Sequence, residues 1–389
     1  MKLPQTHRRD FLKQAAALGL AFGTPLRSTL AATPAPAAVE WRNRQSEMTY
    51  RRLGRTGMMI SEVVCGGDPV RSDNYDHLRL ALDMGLNYLD MAPAYGRGDC
   101  ETSYGKLLAG KSSLREKVYL TTKISGYSAI RNSLYKEIYD GLPADKQRPI
   151  QERGREMLAE RGVAKPGYFI EYFPGQQRSL QPAYLSNAMA PDYAHKVDGN
   201  PRFRQFIRDS VEASLKRVGT DYFDLVMCPH GATTPEELDI PEIRQTFLEL
   251  KKEGKVRFLG LTSHDDPAGI LRKAAEVGYY DAAMVAYNVI NGGYVEDAIR
   301  EARKKDIGVI AMKVAMSVAT HHKPLQPVPQ WRIAKVDRIV PGDMKPPVKA
   351  YLWALQNPNI SAVISNLWDE TFIRENLAVA GKKVELQPA

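Results

Sequence analysis

The sequence predicts an α/β protein built as a closed (β/α)8 barrel of the TIM type. Eight short apolar segments alternate with helical patterns, which indicates a parallel sheet, and a count of eight favours closure over an open doubly wound sheet. No Gly-x-Gly-x-x-Gly sequence follows the first strand, which argues against a dinucleotide-binding open sheet. With 389 residues, 43% of them hydrophobic, the chain is long enough for one large barrel.

The predicted elements follow one another from residue 48 to residue 389. Two strand-like pieces around Gly54 and Gly57 predict a short N-terminal hairpin. Apolar residues at steps of three and four predict helices between most strands, for example over 241–255 and 295–306. The eight strands are predicted at 61–66, 87–92, 118–124, 223–230, 257–263, 282–287, 308–314 and 360–365.

A long insertion interrupts the alternation after the third strand. Residues 126–200 exceed by far the few residues of an ordinary strand-to-helix loop. They contain amphipathic pieces around 130–140 and 147–161 and a tyrosine-rich second half. We expect this segment to be a lid within the barrel domain. Its aromatic side chains either shape a substrate pocket or form a small core of the insertion itself.

Residues 1–37 resemble an export signal. Arg8-Arg9 precede a short apolar stretch from Ala15 to Pro25, and small residues with prolines follow. The paired arginines resemble the twin-arginine signal, which the twin-arginine export machinery reads, and this predicts a periplasmic protein. The apolar stretch is too short for stable membrane insertion. The alternative is an ordinary amphipathic N-terminal helix.

Charge and cysteine content exclude several other functions. The net charge of +9 includes five Lys and Arg residues against one Asp in the first 37, and no dense basic run follows, so nucleic-acid binding is not expected. The three cysteines have no CxxC spacing, which argues against iron-sulfur and zinc sites. Cys228, His230 and Asp90 could bind a metal, but Lys123 in the same place would repel a cation. We therefore expect no metal.

Polar side chains lie at or just beyond the ends of neighbouring predicted strands. Asp90 ends the second strand, Tyr95 follows it, Lys123 ends the third, and His230 ends the fourth. The carboxyl ends of barrel strands form the active-site face. A lysine ammonium beside the phenol would lower its pKa, Asp90 would fix that lysine, and His230 would donate a hydrogen bond to a substrate oxygen. The alternative is a structural ion-pair network. His264, at the end of the fifth strand, is expected to be structural.

Seven segments give the chain a resemblance to the aldo-keto reductase family. They lie between about Tyr50 and about Ala380, with only the insertion between them. The four residues Asp90, Tyr95, Lys123 and His230 match the catalytic tetrad of that family one for one. The segments are YRRLGRTGMMIS, LNYLDMAPAYG, KVYLTTKI, DYFDLVMCPHG, GKVRFLGLTSHD, IGVIAMK and SAVISNLWDETFIRENL.

The resemblance implies hydride transfer between NADP or NAD and a small aldehyde or ketone, or the matching alcohol. Tyr95 would protonate the developing alkoxide. The cofactor would lie extended across the barrel mouth, with Thr262 and Ser263 at the nicotinamide and Glu375 and Asn376 at the adenine. The remaining cofactor-binding residues that the resemblance implies are Gly66, Met312, Lys313, Ser365 and Asn366.

The sequence departs from the family pattern at several cofactor positions. Met312 stands where a tyrosine usually stacks on the nicotinamide, and Met284 where a glutamine binds its amide. The residues that would hold a 2′-phosphate fall on Asn366, Leu367 and Phe372, none of which is basic. The sequence therefore favours neither NADP nor NAD.

An exported enzyme of this kind raises two alternatives, because free reduced nicotinamide is not expected outside the cytoplasm. The first is an internally recycling enzyme with tightly bound NAD(P), such as an epimerase or dismutase of sugars. The second is a non-catalytic cofactor-binding redox sensor. Single-turnover reduction without cofactor exchange would favour the first, and no chemistry with any carbonyl would favour the second.

Overall fold

A short sheet precedes the barrel. Strands β2 (Tyr50–Arg52) and β3 (Met58–Ser61) form an antiparallel hairpin. Its turn places Gly57 in the left-handed region at φ 72°, which glycine adopts without steric cost. This confirms the predicted hairpin. A further strand, β1 (Glu40–Trp41), pairs in parallel with β3 and begins before residue 48.

Eight parallel strands close into a barrel, which confirms the predicted (β/α)8 fold. The computed structural model describes residues 38–110, 112–197, 199–320 and 327–388, so the predicted export signal lies outside the described residues. Strand β11 pairs with β4 to complete the closure. The barrel strands are β4 (Val63–Gly66), β5 (Tyr88–Asp90), β6 (Tyr119–Lys123), β7 (Phe223–Met227), β8 (Val256–Ser263), β9 (Ala282–Ala286), β10 (Gly308–Met312) and β11 (Ala362–Asn366).

Helices connect the strands on the outside of the barrel. Among the described residues, none of them combines the length and apolar character that crossing a membrane requires. They are α1 (Leu78–Asp83), α2 (Asp99–Leu108), α3 (Ser112–Lys117), α4 (Tyr127–Asp140), α5 (Ala144–Arg161), α6 (Leu180–Val197), α7 (Pro201–Val218), α8 (Pro241–Lys252), α9 (Pro267–Val277), α10 (Gly292–Lys304), α11 (Gln330–Ile339), α12 (Pro346–Leu355) and α13 (Glu370–Leu377).

The hairpin closes one end of the barrel. Leu53, Met58 and Ile60 are fully buried and pack in one apolar cluster with side chains that point into the barrel, such as Val64. The backbones of Gly308 and Leu53 approach each other closely here. A Cβ atom on Gly308 would lie only 2.6 Å from the backbone of Leu53, so a larger residue would not fit. The cluster fills the interior, so the barrel is a packed core without a pore. The opposite end, at the carboxyl ends of the strands, remains open to hold a functional site.

The insertion consists of helices α4, α5 and α6. It leaves the barrel after β6 and returns through α7, so it emerges at the carboxyl end of the strands. Most of its aromatic residues are buried within it or against the barrel, and Tyr127 packs on Phe203 of α7 at 5.4 Å between ring centroids. Only Phe173 among them is largely exposed in the described part of the chain. The aromatic residues therefore contribute mostly to packing.

Candidate active site

A buried ion pair lies at the carboxyl end of two neighbouring strands. Asp90 ends β5 and Lys123 ends β6, and each is 1% exposed. The Nζ atom of Lys123 lies 2.5 Å from Asp90 Oδ2 and also donates to the carbonyl oxygen of Met91 at 2.9 Å. Burial raises the pKa of the Asp90 carboxyl, and the Lys123 ammonium acts against that rise. The pair fixes the ammonium group in one position.

Tyr95 lies over this ion pair because the chain turns sharply after β5. The 3-10 turn Tyr95–Gly98 has left-handed backbone at Gly96 (φ 59°) and Gly98 (φ 92°). The Nζ atom of Lys123 lies 4.6 Å from the centroid of the Tyr95 ring. The turn thus brings the phenol of Tyr95 onto the barrel mouth.

The pKa of the Tyr95 phenol is raised well above its ordinary value. Burial is the main cause, and the negative charges of Asp90 and Asp68 add to it. This differs from the expectation that Lys123 lowers this pKa. The physical reason is that Asp90 neutralises the ammonium from 2.5 Å away, so little of its field reaches the phenol. The phenol is therefore protonated at neutral pH, as a proton donor must be.

His230 faces the same space from the neighbouring strand. It follows β7 by three residues, and its ring centroid lies 6.0 Å from that of Tyr95 at an interplanar angle of 88°. Burial, together with the positive charges of Lys123 and Lys313, lowers the pKa of His230 to about 3. The imidazole is therefore neutral at physiological pH and can present one N–H donor.

Ser125 orients this imidazole and was missed by the sequence reasoning. Its Oγ lies 2.7 Å from Nδ1 of His230, so the other ring nitrogen, Nε2, is left for a ligand. If the hydroxyl donates to Nδ1, Nε2 carries the proton. The signal was available, because Ser125 lies two residues beyond Lys123 on the same face of the barrel.

A cavity of about 710 Å³ runs from Tyr95 along the barrel mouth. Its walls come from the ends of β4, β10 and β11 and from the helices that follow β10 and β11. Six of the predicted cofactor-binding residues line it, namely Gly66, Met312, Lys313, Asn366, Glu375 and Asn376. The structure thus brings most of the predicted cofactor set together beside the four predicted catalytic residues.

The three remaining predicted residues do not line this cavity. The Thr262 hydroxyl accepts from the Gly231 amide at 2.7 Å, and the Ser263 hydroxyl donates to the Ala232 carbonyl at 2.8 Å. Ser365 Oγ accepts from Asn376 Nδ2 at 2.9 Å. These hydroxyls hold neighbouring loops and helices, and direct contact of the three residues with a cofactor stays a prediction.

The cavity suits a nicotinamide dinucleotide by the chemistry of its walls. The buried Oδ1 atom of Asp90 has no hydrogen-bond partner among the described residues, which leaves an acceptor for a ligand hydroxyl. Met284, Met312 and Ile364 offer an apolar surface for a ring, and the Lys313 ammonium offers a partner for a phosphate group. These residues and Asn366 would hold such a cofactor.

Further residues at this mouth were missed by the sequence reasoning. Asp68 lines the cavity just after β4, and Trp368 lines it just after β11, both at strand ends where function is expected. His264, which the sequence singled out as a structural residue, also lines the cavity, with the ring of Phe173 at 5.6 Å between centroids. Burial lowers the pKa of His264 well below its ordinary value, and the charge of Lys313 adds to this effect.

A second cavity, of about 840 Å³, lies between the insertion and the barrel. His230, Gly231 and Thr233 form its barrel side, and helices α4, α5 and α6 form the rest. His230 therefore borders this second cavity, while Tyr95, 6.0 Å away between ring centroids, borders the first. The two cavities therefore approach each other at the candidate site, one on the side of Tyr95 and the other on the side of His230.

The described residues offer neither a metal-binding cluster nor a disulfide. Within residues 38–110, 112–197, 199–320 and 327–388, no cluster of His, Cys, Asp or Glu has the geometry to hold a metal ion. Cys65, Cys100 and Cys228 are free and buried. The Sγ atom of Cys65 lies 3.2 Å from the hydroxyl of Tyr104.

Comparisons with known proteins agree with the fold described above. A family model described as the aldo/keto reductase family matches residues 58–169 and 190–387. Aldo-keto reductase AMT2 of Alternaria alternata is 26% identical over 268 residues, which cover 65% of this chain and 60% of that protein. The NADH-specific methylglyoxal reductase of Escherichia coli is 22% identical over 364 residues, 84% of this chain and 91% of that protein.

A solved structure gives the same fold. The holo form of an aldo-keto reductase from Bacillus halodurans superimposes with a TM-score of 0.57 over 86% of this chain and 92% of that one. Its sequence identity to this chain is 18%, so this likeness concerns the fold alone.

Proposed function

Since the chain belongs to the aldo/keto reductase family, whose members are NAD(P)-dependent oxidoreductases, we propose that it transfers a hydride between a nicotinamide dinucleotide and an aldehyde or ketone. The observation that carries the proposal is the grouping of a protonated phenol, a buried ion pair and a neutral imidazole at one barrel mouth. This grouping supplies an acid and a hydrogen-bond donor within reach of one carbonyl oxygen.

The proposed roles follow from the positions of the side chains. When bound, the nicotinamide supplies or accepts the hydride. Tyr95 donates its phenolic proton to the substrate oxygen, and Nε2 of neutral His230 donates a hydrogen bond to the same oxygen. A positioned proton donor of this kind contributes a factor of about 10² to 10⁴ to the rate.

Lys123 and Asp90 would act on the phenol rather than on the substrate. As Tyr95 loses its proton, negative charge develops on a ring whose centroid lies 4.6 Å from the Lys123 ammonium. A fixed positive charge stabilises that anion without reorganisation at the moment of reaction. Asp90 holds the ammonium in place. The ion pair therefore stabilises the transition state of proton transfer more than it stabilises the resting enzyme, in which the phenol is neutral.

We also propose that the protein is exported through the twin-arginine route to the periplasm. The sequence pattern at Arg8-Arg9 supports this. That route carries folded proteins, so a cofactor bound in the cytoplasm could accompany the enzyme. Such loading would reconcile a nicotinamide enzyme with a compartment in which free reduced nicotinamide is not expected.

The test is oxidation of NADH and NADPH by the purified full-length protein with methylglyoxal, glyceraldehyde and a simple ketone. We expect turnover with at least one carbonyl, seen as loss of the reduced-nicotinamide absorbance. Single-turnover reduction without exchange of nucleotide would instead support an internally recycling enzyme. Binding of nucleotide without reduction of any carbonyl would contradict the proposal and support a redox sensor.

A further inference from the structure

The cavity between the insertion and the barrel has walls made from one face of each insertion helix. On α4 the lining residues recur at helical steps, and the same holds on α5, so each helix turns a single face inward. The lining residues of the three helices are Ser128, Ala129, Asn132, Ser133 and Lys136 on α4, Gln151, Gly154, Arg155 and Leu158 on α5, and Gln181, Pro182, Tyr184 and Leu185 on α6.

Gly154 allows α5 and α6 to approach closely at this cavity. A Cβ atom on Gly154 would lie 3.3 Å from the carbonyl oxygen of Tyr184, tighter than an ordinary contact. The two helices can therefore pack backbone to backbone. The cavity is thus shaped by the packing of three helices and is not a gap beside a loose loop.

Buried hydrogen bonds hold these walls on the barrel. Asn187 of α6 accepts from Arg131 Nη2 at 2.7 Å and donates to Thr234 Oγ1 at 3.0 Å. The Ser128 hydroxyl donates to Glu237, in the turn that precedes α8. Because breaking such buried contacts is costly, the insertion is a fixed wall of the cavity.

The charge on the cavity walls is positive. None of the described lining residues is Asp or Glu, and the lining cations are Lys136 and Arg155. Lys136 pairs with Asp140 of its own helix at 2.6 Å. Arg155 has no ion-pair partner among the described residues.

The acids near Arg155 are already paired with other arginines. On α5, Arg148 pairs with Glu152 at 3.6 Å, and Arg153 pairs with Glu156 at 3.3 Å and with Glu160 at 2.9 Å. Arg155 is exposed at the rim of the cavity. A planar guanidinium with five donors matches a carboxylate in bidentate geometry. The unpaired charge is therefore suited to an anionic ligand group.

The rest of the lining is rich in amides and hydroxyls. Gln151, Gln181 and Asn132 provide amide groups, and hydroxyls come from residues such as Ser133 and Thr233. Amides both donate and accept, as ligand hydroxyls do. A ligand with several hydroxyl groups would find partners along the path from His230 to Arg155.

We propose that this cavity binds a sugar acid, meaning a polyhydroxy aldehyde or ketone that carries a carboxylate at its far end. Its carbonyl oxygen lies at Tyr95 and His230, its hydroxyls lie along the amide groups, and its carboxylate pairs with Arg155. This assignment rests on the proposed function, because it uses the same catalytic residues for the carbonyl.

The test compares galacturonate with galactose, which differ only by the carboxylate. The purified full-length enzyme is assayed with saturating reduced nucleotide, and kcat/KM is measured for both sugars. We expect kcat/KM to be higher for galacturonate by about tenfold, the effect of about 1.4 kcal/mol of binding energy. In Arg155→Gln this ratio falls toward one, mainly through KM. Arg148→Gln, on the same helix but outside the cavity, is the control and keeps the ratio.

Binding measured without turnover separates this proposal from the proposed function. Calorimetry of galacturonate with enzyme loaded with oxidised nucleotide should show affinity about tenfold weaker in Arg155→Gln than in the wild type. Such binding without turnover of any carbonyl would support the sugar-acid site and contradict the proposed function. Reduction of small aldehydes with equal kcat/KM for the two sugars, or equal losses in Arg155→Gln and Arg148→Gln, would overturn the sugar-acid site alone.

Discussion

At the scale of single residues, Asp90 and Lys123 depend on each other. Each is almost completely buried, and a buried ion loses much of its hydration. Removing one partner would leave the other charge unpaired at the barrel mouth, a loss of about 3 to 5 kcal/mol in stability for a buried pair. Variants of Tyr95, which carries no charge at rest, therefore report on chemistry more directly than variants of the ion pair do.

The first prediction concerns Tyr95. Tyr95→Phe removes the phenolic proton and keeps the ring, so turnover should fall by about 10² to 10⁴ while cofactor affinity stays near the native value. Lys123→Met should do similar harm, with a lower melting temperature because Asp90 loses its partner. Steady-state rates, nucleotide titration and thermal unfolding check this. Near-native rates in both variants would disprove the roles assigned to them.

The second prediction concerns Ser125. Ser125→Ala frees Nδ1 of His230, so the imidazole no longer keeps its proton on Nε2, and kcat should fall by about tenfold. Ser125→Thr retains a hydroxyl and should restore most of the rate.

The pH profile distinguishes this positioning role from a general structural effect. With the pKa of His230 lowered to about 3, its imidazole should cause no change in kcat between about pH 5 and pH 8. The loss in Ser125→Ala should be equal at every pH in that range. A new inflection near pH 6.5 in the variant would mean that Ser125 acts on the charge of His230 rather than on its tautomer.

The third prediction concerns the nucleotide. No arginine or lysine stands at the positions expected to meet a 2′-phosphate, and in the cavity Lys345 is paired with Glu375 at 2.6 Å. Affinities for NADH and NADPH should therefore agree within about tenfold. Glu375→Gln frees Lys345 and should shift the ratio toward NADPH, whereas Glu370→Gln, whose partner is Arg374, should not. A native preference for NADPH above tenfold would contradict the prediction.

The four catalytic candidates could be predicted from the sequence because they lie at or just after strand ends. Parallel strands bring their carboxyl ends to one face of the barrel, so residues at those ends must lie near one another. Hydrogen-bond partners could not be predicted in the same way. Thr262, Ser263 and Ser365 occupy the predicted strand ends, yet their hydroxyls bond to nearby loops and to Asn376. A sequence shows where a hydroxyl is, but the choice between neighbour and ligand depends on distances across the fold.

At the scale of elements, the eight barrel strands were predicted, as were two of the three insertion helices, and the third insertion helix, α6, was not. Helix α6 contains Pro191 in its interior, and proline lacks the N–H that an α-helix uses there. From the sequence, this stretch is recognised only as the tyrosine-rich second half of the insertion, with no helix predicted in it. Tertiary packing of α6 against α4 and α5 outweighs that local penalty.

The fourth prediction concerns the insertion. Joining Ser125 to Pro201 through a few residues should raise KM for a large sugar substrate while sparing reduction of a small aldehyde, because the four catalytic candidates lie outside residues 126–200. The hydrogen bonds from Ser128 to Glu237 and from Tyr168 to Asp266 would be lost, so thermal stability should fall as well. Equal loss of activity toward large and small carbonyls, with cofactor still bound, would show that the insertion builds the catalytic site itself.

At the scale of the whole molecule, the fifth prediction concerns export. Replacing Arg8-Arg9 with Lys-Lys should leave an active enzyme in the cytoplasm, because the receptor recognises the arginine pair rather than its charge. Cell fractionation with an activity assay measures this, and a substitution outside the signal, Arg148→Lys, is the control. Unchanged export of the double-lysine variant would indicate the general secretory route, on which cofactor loading before export is implausible.

The seam between β4 and β11 has a kinetic consequence. Val63 pairs with Val363, so the contact that completes the barrel joins residues 300 positions apart. Such high contact order slows folding. At synthesis rates of about 5 to 20 residues per second, one edge of β4 stays unpaired until β11 has left the ribosome. A nascent chain halted before residue 362 could not bind nucleotide at a complete mouth, so folding of the barrel, cofactor binding and any export of a folded enzyme must all follow the synthesis of β11.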